Sequence, residues 1–199
     1  MLRHRLNGER IAAKFVDVSQ FLNKADNIQK ALKEAQYLLA LDHQNIINLD
    51  TVFLLKKEII IFTKYIAGGE LKEYILNRPI PCTEMELKKL SKALVSAIYY
   101  IHWNNIVHRD LKLENILLDE KGNPYSLKII DFGISGLLSK VGGGEIVHAG
   151  TMIYSPPEVI SKKKLQSDPK IDVWALGKLR FISSVVTDLY RNHNVHTAH

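Results

Sequence analysis

Apolar and polar residues follow two different patterns along this 199-residue chain. In the first part of the chain the apolar residues fall in short runs typical of β-strands, at 11–18, 49–55 and 58–63. Residues 31–41 interrupt these runs with apolar spacing that fits an amphipathic helix. The second part of the chain is mainly helical in its spacing. The change predicts a small β-rich part followed by a larger helical part.

The clearest helix prediction covers residues 85–102. Thr83 stands just before this segment, where its hydroxyl can accept a hydrogen bond from a free backbone N–H of the first turn. Asn105 is expected to end the helix. The apolar positions recur every three or four residues, as one buried helix face requires; they are Leu87, Leu90, Leu94, Val95, Ile98 and Ile101.

Two further segments have a clear pattern. Residues 121–124 are turn-forming and separate the apolar runs 116–118 and 127–130, which predicts a strand, a turn and a second strand. The apolar spacing after residue 177 permits a helix; the spaced positions are Leu179, Ile182, Val186 and Leu189.

Composition excludes several classes of protein. Hydrophobic residues make up 46% and charged residues 24%, which is ordinary for a globular protein. The single cysteine, Cys82, allows no intrachain disulfide and favours a reducing compartment. No signal-like start and no apolar run near the roughly 20 residues of a membrane span are present, so we expect a cytoplasmic protein without a membrane segment. The charge of +6 comes from scattered lysines without a basic-aromatic stripe, and we therefore expect no nucleic-acid partner.

The candidate chemistry lies in two short motifs. Residues 108–115 are His-Arg-Asp-Leu-Lys-Leu-Glu-Asn, and residues 131–133 are Asp-Phe-Gly. Phosphoryl transfer needs an acceptor that orients the attacking hydroxyl and oxygen ligands that hold magnesium on the phosphates. Asp110, Asn115 and Asp131 supply these groups in that order along the chain. Both motifs are protein-kinase signatures, and the chain resembles the eukaryotic protein kinases of the serine/threonine type.

The resemblance implies an α+β fold with two lobes, a small antiparallel β lobe with one helix and a mainly helical large lobe. A partial kinase domain is expected over 1–199, with the small lobe at 1–63, the hinge at 64–69, the large lobe at 70–177 and a divergent tail at 178–199. The first strand and the glycine-rich phosphate loop are expected to be missing, as are the late helices of the large lobe.

The resemblance also implies an ATP site that uses Mg²⁺. Lys14 would position the inner phosphates of ATP, with Glu34 as its partner, while Asn115 and Asp131 would hold the magnesium. The remaining nucleotide-binding positions would surround the adenine and the ribose; they are Ala12, Thr63, Lys64, Ile66, Glu70 and Leu117.

The catalytic roles follow from the same resemblance. Asp110 would accept a hydrogen bond from the substrate hydroxyl and take its proton, and Lys112 would neutralise charge on the transferred phosphoryl group. Thr151 would bridge these two residues, which favours serine and threonine as acceptors. Arg109 matches the family's receptor for a phosphate on the following segment. Val147 stands where the usual phosphothreonine would be, so conventional activation by phosphorylation of this loop is not expected.

A set of apolar side chains should tie the two lobes together. Asp172 matches the residue that anchors this set in the family. The matching members of the set are Leu38, Leu49, His108 and Phe132.

The substrate preference is a separate expectation. Glu70 and Glu114 match positions where some members of the family place acids against a basic residue upstream of the target serine. Two acids in a cleft attract arginine, which favours a basic-directed kinase of the calcium/calmodulin-dependent type. Glu70 could equally contact the ribose or cap its helix. The oligomeric state and the natural protein substrate stay open.

Two alternative functions stay open at this point. One is a catalytically inactive kinase-like binding module, and the other is a fragment of a longer kinase. A kinase acting on small molecules is disfavoured, because residues 150–158 resemble the peptide-docking loop of the protein kinases.

Overall fold

The fold is described from a computed structural model of the chain, in which residues 2–3, 8–17, 25–78, 82–137, 151–161 and 168–196 are described. The expectation about Val147 falls in the segment 138–150 and lies outside these residues.

Four antiparallel strands form the sheet of the small lobe, in the order β1–β2–β4–β3. The strands are β1 (Leu2–Arg3), β2 (Arg10–Asp17), β3 (Leu49–Leu54) and β4 (Glu58–Lys64). Side chains of β4 alternate between the two faces of the sheet, and this places Ile59 and Ile61 in one buried cluster with Ala35. Ala35 belongs to α1 (Ala25–Leu39), so the helix covers one face of the sheet.

The helix predicted at 31–41 is longer at its start and shorter at its end than expected. It begins at Ala25, within a polar stretch that gives no apolar period. At the other end, Ala40 and Leu41 donate to carbonyls only three residues back, at 3.1 and 3.3 Å, so the last turn tightens out of α-helical geometry.

The large lobe is built on α3 (Glu84–Trp103), which packs against α5 (Lys170–His196). The predicted threonine cap is confirmed. The Glu86 N–H donates to the Thr83 hydroxyl at 3.1 Å and the Glu86 carboxylate accepts from the Thr83 N–H at 2.6 Å, which completes a capping box. Val95 was expected on the buried face but is 56% exposed. Its neighbour Leu94 takes the core position, since adjacent helix residues point about 100° apart.

Two small antiparallel ladders join the helices to the cleft. β5 (Ile106–Val107) pairs with β8 (Gly136–Leu137), and β6 (Ile116–Leu118) pairs with β7 (Leu127–Ile129). The second pair confirms the predicted strand, turn and strand. Short helices complete the lobe, namely α2 (Leu71–Leu76), α4 (Pro157–Ile160) and the 3₁₀ turns Leu113–Asn115, Pro124–Ser126 and Met152–Tyr154.

The connection between the lobes is fixed by two glycines. The Gly68 N–H donates to the Leu118 carbonyl at 2.7 Å, and the Leu118 N–H donates to the Gly69 carbonyl at 2.9 Å. A Cβ atom on Gly68 would collide with the backbone of Leu118 and Glu120. Gly69 has φ of +84°, a left-handed conformation that favours glycine. The connection therefore lies directly on β6, which forms one wall of the cleft.

Helix α5 continues through His196, so the predicted continuation of this helix is confirmed for its backbone. Val173, Trp174 and Phe181 on this helix are exposed. No helix in the described part of the chain is both long enough and apolar enough to cross a membrane. The expected α+β fold class is confirmed.

Candidate active site

A cleft between the two lobes has a cavity volume of about 370 Å³, within the range of small-ligand sites. Strands β2, β4 and β6, helix α1, the interlobe connection and the residues just after β7 form its walls. Glu70, which was expected to help bind the nucleotide, is not among the lining residues; its backbone forms an isolated bridge with Leu117. The other predicted nucleotide-side residues line the cleft, namely Ala12, Lys14, Glu34, Thr63, Lys64, Ile66, Leu117 and Asp131.

Lys64 lines the cleft with only part of its side chain. Its ammonium group forms an ion pair with the Asp119 carboxylate at 2.7 Å. The charge of Lys64 is therefore engaged with the rim of the large lobe rather than with the interior of the cleft.

An ion-paired triad closes one end of the cleft. The Lys14 ammonium from β2 lies 2.7 Å from the Glu34 carboxylate of α1 and 3.1 Å from Oδ1 of Asp131. Burial alone would lower the pKa of Lys14, but the two carboxylates outweigh it and raise this pKa above its ordinary value. Lys14 is thus held as a cation, and it connects three separate elements at one point.

Asp131 occupies a strained position. Its φ of +62° lies in the left-handed region, which is uncommon for residues other than glycine. Burial tends to raise the pKa of its carboxyl group, but the Lys14 charge and the Gly133 N–H lower it below the ordinary value. The result is a carboxylate held ionised at the mouth of the cleft, and such strain is found preferentially at functional sites.

The second cluster is centred on Asp110. Oδ1 of Asp110 accepts from the Thr151 N–H and from the Thr151 hydroxyl, both at 3.0 Å. Oδ2 accepts from the Lys112 ammonium at 2.7 Å and from the Asn115 amide at 3.1 Å. Lys112 also donates to the Thr151 hydroxyl at 3.0 Å. The four residues predicted to be catalytic therefore form one hydrogen-bonded network.

The buried carboxylate of Asp172 and the packing of His108 on Phe132 hold the loop that carries Asp110. Both carboxylate oxygens of Asp172 accept backbone N–H groups, from His108 at 2.8 Å and from Arg109 at 2.9 Å. The His108 and Phe132 rings meet edge to face with their centroids 4.9 Å apart, and Nε2 of His108 is 3.0 Å from the Ile130 carbonyl oxygen. Phe132 belongs to the same buried cluster as Leu38 of α1, so the loop is connected to both lobes.

The donor chemistry near Asp131 fits magnesium. Asn115 donates from its amide nitrogen to Asp110, which leaves its amide oxygen for a metal, as a second oxygen donor besides the Asp131 carboxylate. Hard oxygen donors suit Mg²⁺, which is usually held by one or two protein oxygens together with phosphate oxygens. Among the residues that the structure describes, no group of three or more His, Cys, Asp or Glu could hold a metal by itself. These residues therefore suit a magnesium ion that arrives with a nucleotide.

Lys72 is a site residue that the sequence did not reveal. Its ammonium group pairs with Oε1 of Glu114 at 2.9 Å, so one of the two acids expected to attract a substrate arginine already has a cation. The buried Oε2 of Glu114 has no hydrogen-bond partner among the described residues. The pair joins residues 42 positions apart, and no local pattern in the sequence indicates such a contact.

A cleft with a fixed cation and a fixed carboxylate, together with a second carboxylate that binds a threonine hydroxyl, has the groups that phosphoryl transfer requires. A family model of the protein kinase domain matches residues 1–199. The chain belongs to the protein kinase family.

Several characterised kinases are similar to the chain. It is 38% identical to the carbon catabolite-derepressing protein kinase of Saccharomyces cerevisiae over 179 residues, which is 90% of this chain and 27% of that protein. It is 36% identical to the NUAK family SNF1-like kinase 2 of Rattus norvegicus over 176 residues, 88% of this chain and 27% of that protein. The chain thus spans about a quarter of the length of the curated relatives it matches.

Proposed function

We propose that the chain is the catalytic part of an ATP-dependent serine/threonine protein kinase. The observation that carries the proposal is a pair of clusters. Lys14, Glu34 and Asp131 line the cleft and would form the nucleotide side, and the Asp110 network would form the acceptor side. Kinases of the same family that cover this chain at 36–38% identity support the proposal. Because ATP is the phosphate donor, we place the activity inside the cell.

The acceptor hydroxyl would meet Asp110. This carboxylate already accepts four hydrogen bonds, about its full capacity. A serine or threonine hydroxyl of the substrate therefore has to share or replace one of them, and the Thr151 hydroxyl on Oδ1 is the chemically equivalent group. The acceptor oxygen then bonds to the γ-phosphorus, the bond from phosphorus to the ADP oxygen breaks, and the hydroxyl proton passes to Asp110.

The remaining groups hold charge where it develops. Lys112 lies within hydrogen-bond distance of both Asp110 and Thr151, so its ammonium group can neutralise charge on the transferred phosphoryl group. Lys14 would hold the inner phosphates of ATP, and Asn115 and Asp131 would hold magnesium. When bound, Mg²⁺ supplies positive charge to the phosphate oxygens.

In this proposal, the preferred protein substrates carry a basic residue upstream of the acceptor serine or threonine. Glu70 and Glu114 would supply the negative charge that attracts it. Since Lys72 already neutralises Glu114, Glu70 would carry most of the attraction. The preference should therefore be modest, and it should depend on salt because the groups are partly exposed.

The test is transfer of phosphate from radiolabelled ATP to a serine peptide with an upstream arginine, using the purified chain with Mg²⁺. Asp110→Asn should abolish transfer while leaving binding of a fluorescent ATP analogue unchanged. The matched control is Asp50→Asn, at an exposed residue outside the cleft, which should behave as wild type. Transfer that persists in Asp110→Asn would overturn the assignment. A folded wild-type chain that binds nucleotide without transferring phosphate would favour a kinase-like binding module instead.

A further inference from the structure

The side chain of Arg109 packs directly on Gly136. Arg109 lies directly before Asp110, and it is only 9% exposed although it carries a permanent charge. Its guanidinium group packs over Gly136 in β8, where an added Cβ atom would lie within 2.5 Å of three guanidinium atoms. Gly136 does not have positive φ, so the backbone conformation would accept any residue. The glycine is required for space alone.

The contact lies where two functional segments meet. Val107 of β5 pairs with Gly136 of β8, and the Ser135 hydroxyl donates to the His108 carbonyl at 3.2 Å. The segment that begins with Asp131 is thereby joined to the loop that carries Asp110. Arg109 belongs to this loop and extends across the joint onto Gly136.

A methyl group at position 136 would act on Arg109 selectively. The atoms it would meet form the far end of a flexible side chain, which can rotate away, whereas the backbone of β8 can stay in place. The guanidinium group would have to move away from its position over residue 136. Asp172 would still hold the Arg109 N–H at 2.9 Å, so the loop would lose its side-chain anchor but keep its backbone anchor.

We propose that Gly136 is a positioning residue for phosphoryl transfer. By leaving room for the Arg109 guanidinium it lets that side chain anchor the loop against β8, and this anchor sets the direction of the neighbouring Asp110 carboxylate. The inference rests on the proposed function of Asp110 as the group that orients the acceptor hydroxyl.

The first test is a double-mutant cycle with Gly136→Ala, Arg109→Ala and the combined variant. Gly136→Ala should lower kcat about tenfold to a hundredfold, as expected for a slightly misplaced catalytic group, with KM for ATP unchanged. The combined variant should have a kcat no lower than that of Arg109→Ala, because no guanidinium group is left over residue 136 for the methyl group to displace. Wild-type activity of Gly136→Ala, or losses that multiply in the combined variant, would overturn the proposal.

Gly177→Ala is the matched control. Gly177 lies in α5, has ordinary φ, and would meet nothing within 4 Å of an added Cβ atom. This variant should keep the wild-type kcat and the wild-type hydrogen exchange of the loop at residues 106–112. Unfolding midpoints of all variants are measured in parallel, so that a loss of kcat is compared only among folded proteins.

The second test does not need transferase activity. Hydrogen exchange of the peptide that spans residues 106–112 should rise equally in Gly136→Ala and in Arg109→Ala, and it should stay at the wild-type value in Gly177→Ala. Unchanged exchange in Gly136→Ala would overturn the proposal even if the enzyme assay failed. A wild-type chain without transferase activity would contradict the proposed function, while the exchange result would still decide whether Gly136 positions the loop.

Discussion

Replacing Asp172 by alanine should remove the main anchor of the loop that carries Asp110. The Asp172 carboxylate is completely buried, at 0% exposed. It accepts from the His102 ring at 2.8 Å and from the backbone N–H groups of His108 and Arg109 at 2.8 and 2.9 Å. Alanine would leave these three donors without their acceptor.

The structure gives the magnitude of the effect. The His108 and Arg109 N–H groups are buried, and a buried donor left unpaired costs about 1–3 kcal/mol. His102 is partly exposed and can turn to water, so it adds less. We expect a loss of about 4 kcal/mol in the free energy of unfolding, similar to the cost of breaking a buried charged pair. For a domain with a typical stability of about 5–15 kcal/mol this is a large fraction.

Urea unfolding of Asp172→Ala and Asp172→Asn, followed by circular dichroism, measures this loss. The asparagine variant keeps one accepting oxygen and should lose roughly half as much stability. Asp119→Ala is the control, since its ion pair with Lys64 is partly exposed and should be worth about 1 kcal/mol at most. If the free energy of unfolding of Asp172→Ala lies within about 1 kcal/mol of the wild-type value, the loop is held by other contacts and the reasoning is wrong.

Two further predictions concern charged pairs outside the catalytic network. Lys72→Met should raise the ratio of kcat/KM for an arginine-containing peptide to that for its alanine counterpart by about threefold to fivefold, because it frees the Glu114 carboxylate from a partly exposed ion pair. An unchanged ratio, or an equal gain in the exposed control Lys92→Met, would contradict this. Burial tends to raise the pKa of Glu86, but the bonds to the Thr83 N–H and hydroxyl and to Arg78 lower it below its ordinary 4.5. Its contribution to stability should be present above pH 4.5 and lost as the pH falls through the lowered pKa, so the stability difference between wild type and Glu86→Gln should shrink on acidification; a constant difference would refute the linkage.

Local patterns in the sequence predicted much of the fold. Short apolar runs predicted the strands of the small lobe, and helical periodicity with a capping threonine predicted α3. Three residues of the Asp110 network, at 110, 112 and 115, were predicted because they belong to one kinase signature motif. The fourth, Thr151, was predicted by family resemblance, and the structure brings it to Asp110 across 41 positions.

The remaining features depend on contacts that no local pattern encodes. Glu70 lies outside the cleft lining because its backbone bridges Leu117, which is decided by the path of the chain after the hinge glycines. Lys72 meets Glu114 only because α2 packs beside the 3₁₀ turn of the catalytic loop. The space above Gly136 likewise depends on the pairing of β8 with β5, and a glycine in the sequence gives no indication of which side chain needs that space.

The two sides of the site are held by separate supports that meet at one joint. On one side, the ion pair between Lys14 and Asp131 joins residues 117 positions apart and links the small lobe to the large one. On the acceptor side, Asp172 of α5 fixes the loop of Asp110 from within the large lobe. The edge contact between the His108 and Phe132 rings joins the two supports, because Phe132 directly follows Asp131 and the His108 N–H donates to Asp172. Two further contacts cross the same joint, from the Ser135 hydroxyl to the His108 carbonyl at 3.2 Å and from the Ile130 N–H to the Asn115 carbonyl at 3.0 Å. A shift of either support can therefore reach the other through several contacts, of which the packing of His108 on Phe132 is one.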